Sequence, residues 1–186
     1  MSARIRLDGR TQRSFLFPAP LEDAFRYYTN ITHILQFLPH ITLLEELGNQ
    51  RYRVLYHSTE LNVYRVRLYC DLEAEISTEN YTLVFRALEE SSPVQAKAGL
   101  DWLVAPGWYS STSVFSPRED GQTAVEYSLR LWADLPRPWG LGMLPNGTMN
   151  RIANAIAQYR IREVADGFIK RTTTDYLRQK GHATEA

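Results

Sequence analysis

Hydrophobic and polar residues alternate with a period of two through the middle of the chain. In Tyr64–Ile76 the even positions are Tyr64, Val66, Leu68, Cys70, Leu72, Ala74 and Ile76, and the odd ones Arg65, Arg67, Tyr69, Asp71, Glu73 and Glu75. Successive side chains of a strand point to opposite faces, so this stretch predicts a long strand with one dry and one wet face. The same pattern predicts strands over Ile41–Leu47, over Arg51–His57 with Tyr52, Val54 and Tyr56 on one side, and over Tyr81–Leu88 with Leu83 and Phe85. It continues over Trp108–Ser116 and over Thr123–Ala133, where Val125, Tyr127, Leu129 and Leu131 form the dry row. Gly48-Asn49, Glu79-Asn80 and Arg118–Gly121 supply short turns, so an antiparallel meander is the expected topology.

The period differs at the two ends. Gln12–Phe17 predicts a first strand, stopped by Pro18-Ala19-Pro20. Pro20 suits the first turn of a helix, Glu22 and Asp23 favour its positive end, and Leu21, Ala24, Phe25 and Tyr28 follow at helical spacing to Thr29. Asn30 is a plausible N-cap for a second short helix carrying Ile31, Ile34, Leu35 and Leu38, ended by Pro39. Residues 134–146 hold Pro136, Pro138, Pro145, Gly140 and Gly142 and predict an irregular connection. From about Asn146 to Gln179 there is no proline, and one continuous helix there would measure roughly 45–50 Å. Its apolar stripe is Met149, Ile152, Ala153, Ile156, Tyr159, Val164, Phe168 and Ile169. No linker divides the chain, so one domain is expected over 10–179, with 1–9 and 180–186 as flexible termini.

One strand, two short helices, a run of antiparallel strands and a long last helix define an α+β arrangement of six or seven strands in all. A twisted sheet wrapped around one helix does not close perfectly on it, and a hollow between them is the expected result. This order, with the opening Phe15-Leu16-Phe17-Pro18-Ala19-Pro20-Leu21-Glu22-Asp23-Ala24-Phe25, resembles the helix-grip superfamily. Its members include START-like lipid-transfer domains, the major birch-pollen allergen, polyketide cyclases and ring-hydroxylase catalytic domains. Leu135-Pro136-Arg137-Pro138, Leu144-Pro145-Asn146-Gly147 and the closing Asp175-Tyr176 further resemble an uncharacterised cyanobacterial and plastid branch. The resemblance implies a cavity for a hydrophobic ligand as the working part and fixes no reaction.

Composition narrows the picture. The chain has 186 residues, 44% hydrophobic, with 21 basic and 21 acidic side chains. A formal charge of zero argues against broad nucleic-acid binding, and no window approaches the ~20 apolar residues of a membrane span. The single cysteine, Cys70, favours a reducing setting, so a cytoplasmic location is expected, and its dry-face position makes it a small hydrophobe. The basic side is 18 Arg against 3 Lys. Arg51, Arg53, Arg65 and Arg67 share wet faces with Asp71, Glu73 and Glu75, which predicts a solvated cross-strand charge lattice. His33, His40, His57 and His182 match no metal-ligand spacing, so no metal or other cofactor is expected. Ser110–Ser113 is rich in hydroxyls but has no base nearby in sequence, and no catalytic residue is assigned.

The candidate cavity lining is therefore Tyr52, Val54, Tyr56, Val66, Leu68, Leu83, Phe85, Val125, Tyr127 and Leu129 from the strands, with Ile152, Ile156 and Tyr159 from the helix. Each inward tyrosine either finds a backbone partner at the rim or orients a ligand's polar end; both readings predict the same burial. Trp139 and Met143, near Trp132 and Leu141, form a candidate gate. The expected function is noncatalytic binding or carrying of an apolar small molecule: a lipid, isoprenoid or pigment-like compound. The alternatives are a cyclase or aromatase, favoured if Glu126 or Asp101 turns inward beside Tyr127, and an assembly factor docking through residues 132–145. That loop is also where a transient membrane or protein contact is expected.

Overall fold

The computed structural model describes residues 4–60, 62, 64–89, 94–137 and 145–184. Its elements are β1 Arg4–Phe17, α1 Leu21–Thr29, α2 Ile31–Leu35, β2 Ile41–Gly48, β3 Arg51–Glu60, β4 Tyr64–Ser77 and β5 Thr82–Ala87, then β6 Lys97–Ala98, β7 Trp102–Pro106, β8 Trp108–Pro117, β9 Thr123–Pro136 and α3 Asn146–Thr184. Among the described residues these strands form one nine-stranded sheet in the order β1-β9-β8-β5-β4-β3-β2, with β7 on β4 and β6 on β7. The sheet wraps α3, and the α+β arrangement is the one expected. Parity holds along the long strand: Val66, Leu68, Cys70, Leu72 and Ala74 are buried, Arg65 and Arg67 exposed. Asn30 caps α2, its Oδ1 accepting from His33 N.

The strand count and one pairing differ from expectation for a local reason. β5 ends at Ala87, so the first half of β4 has no neighbour there, and β7 moves in to pair with it in parallel, Arg65 opposite Trp102 through Tyr69 opposite Pro106. β7 and β8 are nearly one strand, and Gly107 is the joint between its two partners. The Gly107 N–H donates to Tyr69 O at 2.9 Å. A Cβ at Gly107 would lie 2.8 Å from Leu68 Cβ, so only glycine lets the strand cross so close to β4.

Asp71 also departs from its expected wet environment. It is buried and receives two hydrogen bonds from Arg53, Nε at 2.8 Å and Nη2 at 2.9 Å, while its carbonyl accepts from Leu88 N as the chain leaves β5. The Arg51–Glu73 and Arg53–Asp71 pairs follow the register of β3 on β4, as the lattice reading requires.

Both terminal elements are longer than the expected Gln12–Phe17 strand and the helix ending near Gln179. β1 begins at Arg4, with Ile5 and Leu7 buried, and pairs with β9 along its whole length; α3 runs to Thr184. β1 is an edge strand, and α3 closes that edge with amides. Asn150 Oδ1 accepts from Arg6 N at 3.2 Å, Asn154 Oδ1 from Asp8 N at 3.1 Å and Gln158 Oε1 from Arg10 N at 3.3 Å. Gln158 Nε2 donates back to Arg10 O at 2.7 Å. Four helical residues rise about 6 Å and two strand residues about 6.7 Å, so an i, i+4, i+8 ladder keeps step with alternate strand amides. Gly9 makes the approach feasible, since a Cβ there would meet Ala157 O at 2.7 Å. Unpaired edges invite intermolecular pairing, and this ladder covers one. Replacing Asn154 by Leu sets an apolar group against the Asp8 amide and is expected to cost about 1–2 kcal/mol. Hydrogen exchange should show the Asp8 amide losing protection; unchanged protection would mean the ladder contributes nothing.

The same geometry corrects the helix stripe. With the amide row turned to β1, Ile152 is 41% and Tyr159 65% exposed, and Ile156 is only half-buried. Ile152 and Tyr159 therefore do not line the interior. The second half of α3 does face inward, burying Ile161, Val164, Ala165 and Phe168 against the sheet and the two short helices.

Candidate functional site

The inward rows of β5, β8 and β9 meet α1, α2 and α3 around one enclosed void. Its lining is Tyr28 from α1, Ile34, Leu35 and the following Leu38, Leu83 and Phe85 from β5, Tyr109, Ser111 and Ser113 from β8, Tyr127 from β9 and Phe168 from α3. Its volume is about 10 Å³, room for about one water. The expected open hollow is thus filled at this place, because the aromatic rings of Phe85, Tyr109, Tyr127, Tyr28 and Phe168 reach across it. The Phe168 ring packs 5.4 Å from Tyr127 and 5.9 Å from Tyr28.

Five hydroxyl-bearing residues line this void: Tyr28, Tyr109, Ser111, Ser113 and Tyr127. Thr172 Oγ1 donates to Phe168 O at 2.9 Å, which leaves it as the acceptor for Tyr28 Oη at 3.0 Å. The Tyr109 and Tyr127 hydroxyls stand 3.5 Å apart, a long contact. Burial pushes the Tyr127 phenol well above its ordinary range, reinforced by Tyr109, and burial raises Tyr109 and Tyr28 as well. These phenols stay protonated at neutral pH. They can donate or accept hydrogen bonds but do not act as phenolate bases.

Of the strand residues expected to line a cavity, Leu83, Phe85 and Tyr127 do so. Tyr52, Val54, Tyr56, Val66, Leu68, Val125 and Leu129 are buried and inward but belong to the packed core away from the void. The Tyr52 hydroxyl donates to a side chain, Gln50 Oε1 at 3.4 Å, rather than to the backbone partner expected at the rim. Trp139 and Met143 lie outside the described residues. Tyr28, Tyr109, Ser111 and Ser113 are additions to the lining expected from sequence. The Ser111 and Ser113 signal was present as the hydroxyl-rich run, and strand parity with Tyr109 and Phe115 turns it inward. Glu60 also ends the inward row of β3, but Arg160 Nε holds it at 3.0 Å, and Arg160 Nη1 reaches Glu163 at 2.7 Å. It ties the end of β3 to α3 rather than lining the void. Glu126 faces out, accepting from Ser14 Oγ at 2.6 Å, and Asp101 pairs outward with Arg65 at 2.6 Å.

The void has a thin wall. Ile34, Leu35 and Leu38 face inward from α2 and the turn after it, while Phe37 lies on the other side. Two features fasten this wall to α3. Pro39 sits over Gly167, where any Cβ would collide with its ring. Asp175, 5% exposed, gathers donors from three helices: Tyr27 Oη at 2.9 Å, His33 Nε2 at 2.9 Å, Gln179 Nε2 at 2.7 Å and Arg178 Nη2 at 2.6 Å. Burial raises the Asp175 carboxyl, but the hydrogen bonds from His33, Tyr27 and Arg178 outweigh it and hold the group below its ordinary value. The ring of neighbouring Tyr176 packs 4.9 Å from Phe17.

A sheet gripping one long C-terminal helix, with two short helices across one end, also organises several solved structures. The Zhui aromatase/cyclase from Streptomyces sp. R1128 superposes with a TM-score of 0.55 at 12% identity, covering 92% of this chain and 95% of that one. This chain has the helix-grip fold. TTHA0849 from Thermus thermophilus shares it, with a TM-score of 0.53, 17% identity and coverage of 90% of this chain and 98% of that one. So does the di-domain ARO/CYC StfQ of the steffimycin biosynthetic pathway, with a TM-score of 0.52, 13% identity, and coverage of 94% of this chain and 52% of StfQ. At these identities the helix-grip likeness is one of fold. No family model and no curated protein matches the sequence. Among the described residues no helix of this helix-grip chain is long and apolar enough to cross a membrane.

Proposed function

We propose that the protein binds an apolar small molecule, of lipid, isoprenoid or pigment-like kind, between the curved sheet and α3, without transforming it. The observation that carries this reading is that Tyr28, Tyr109, Tyr127, Ser111 and Ser113, all hydroxyl-bearing, line one void in an otherwise apolar interior. Tyr28 is satisfied by Thr172 at 3.0 Å, but Tyr109 and Tyr127 hold each other only at 3.5 Å, and a buried hydroxyl so weakly bonded adds little to a core selected for packing alone. A mostly apolar pocket with a few convergent polar groups is what orients a small molecule. With only about 10 Å³ of room, the ligand's body takes the place of Ile34, Leu35 and Leu38, which lie in and just after a helix of five residues.

A cyclase or aromatase reading draws support from the names of Zhui and StfQ. Against it stand the outward Glu126 and Asp101 and the protonated phenols, which leave the described lining of the void without a carboxylate, imidazole or amine to move a proton.

Native mass spectrometry of gently purified protein should show retained apolar mass. Titration with the uncharged probe N-phenyl-1-naphthylamine should give a single site, weakened by Ser113→Thr, whose added methyl takes up the room of about one water, and kept by Ser113→Ala. Absence of both retained mass and probe binding would overturn the proposal.

A further inference from the structure

Outside the α2 wall lies an open groove of about 770 Å³, bounded by Phe37, Pro39 and His40 on one side and by α3 on the other. The helix contributes Glu163, Gly167, Lys170, Arg171, Thr174, Asp175 and Arg178, a face repeating at three and four residues. Gly167 and Pro39 make a smooth apolar floor, and Phe37, whose ring stands edge-on to His33 at 5.1 Å, makes a wall.

The charges on this face are unequal in a way their count hides. Glu163 is engaged by Arg160 at 2.7 Å and by His40 at 3.2 Å. Asp175 is engaged by His33 and Arg178. Both carboxylates are thus spoken for, whereas Lys170 and Arg171 are exposed and have no ion-pair partner among the described residues. An apolar floor of this size beside two free cations is complementary to a molecule with an apolar body and an anionic end. We infer that this groove is a second binding site, separate from the interior, for a free amphipathic organic anion: a carboxylate, sulfonate or phosphate on an aromatic or aliphatic body. The body lies on Pro39, Gly167 and Phe37, and the anion meets Lys170 and Arg171.

The test uses 1-anilinonaphthalene-8-sulfonate beside the uncharged N-phenyl-1-naphthylamine, on the whole chain and on a Lys170→Glu, Arg171→Glu variant. Both substitutions are on exposed positions, and an unchanged thermal midpoint checks that the fold is kept. The sulfonate is expected to bind the wild type, to shift the amide resonances of Phe37, Gly167 and Thr174, and to weaken with salt. The variant should bind it about tenfold more weakly while leaving the naphthylamine unaffected. Equal sulfonate affinity in the two proteins, resonance shifts confined to other residues, or binding only to anionic phospholipid vesicles would overturn the inference. Loss of naphthylamine binding alone would count against the interior site and leave the groove standing.

Discussion

Leu68→Arg is expected to leave the protein largely unfolded, while Arg67→Leu, one residue away, should change stability by no more than about 0.5 kcal/mol. Leu68 is fully buried, touching the Gly107 joint on the dry face of β4, and a guanidinium there would have no partner and no route to water. An unpaired buried charge costs more than about 4 kcal/mol, a large share of the ~5–15 kcal/mol that a domain has in total. Arg67 is exposed and opposite His57 across the strand pair, so its loss removes only a solvated charge. Leu68→Met, nearly equal in volume, should cost less than about 1.5 kcal/mol and shows that charge rather than disturbance is at issue. Chemical denaturation of the three variants gives the order. If Arg67→Leu proves the more damaging, the two faces of the sheet are the reverse of those described.

That prediction was available from the sequence because strand parity is an intrinsic property of the backbone, and a thirteen-residue alternation leaves no second register with a dry face. What parity does not report is what lies against each face. In residues 4–9 the inward positions are Ile5, Leu7 and Gly9, and a glycine reads as a breaker unless one knows that a helix backbone passes over it. In the first half of α3 the row beside the β1 edge is made of Asn150, Asn154 and Gln158, polar residues that a hydrophobic stripe assigns to water, next to the buried Met149 and Ala157. The same logic places Ile152 and Tyr159 inside; Met149, Val164 and Phe168 of that stripe are buried, but the first half of the helix is rolled far enough to set its amides on β1, which leaves Ile152 and Tyr159 exposed. The parallel β4–β7 pair was equally hidden, since it depends on β5 stopping at Ala87. The candidate site was legible in part: the inward rows held Leu83, Phe85 and Tyr127, but whether rings fill the space between them depends on side-chain reach from five elements at once.

The Asp175 network is where stability and access to the interior meet. Asp175→Ala should cost about 1–3 kcal/mol, because it strips the acceptor from the buried Tyr27 hydroxyl and from His33, Gln179 and Arg178 at the groove's edge. Asp175→Asn keeps the shape and removes the charge, and it supplies the pH test. The folded carboxyl lies below 3.8, its value when unperturbed, because the hydrogen bonds outweigh burial. A depressed carboxyl stabilises the fold fully above the unfolded value and loses that contribution as pH falls through the folded one. The gap in thermal midpoint between the wild type and Asp175→Asn should therefore be constant from neutral pH down to about 4 and narrow below it. Curves that stay parallel below pH 4 as well would show that the charge of Asp175 is immaterial. The same variant probes the α2 wall, since His33 is the residue through which α2 holds to α3. Amides of residues 34–38 should exchange faster in Asp175→Asn at pH 7, with β4 amides unchanged, and N-phenyl-1-naphthylamine should associate faster. A uniform rise in exchange across the sheet would instead mark Asp175 as a support of the whole core, with no special hold on the wall.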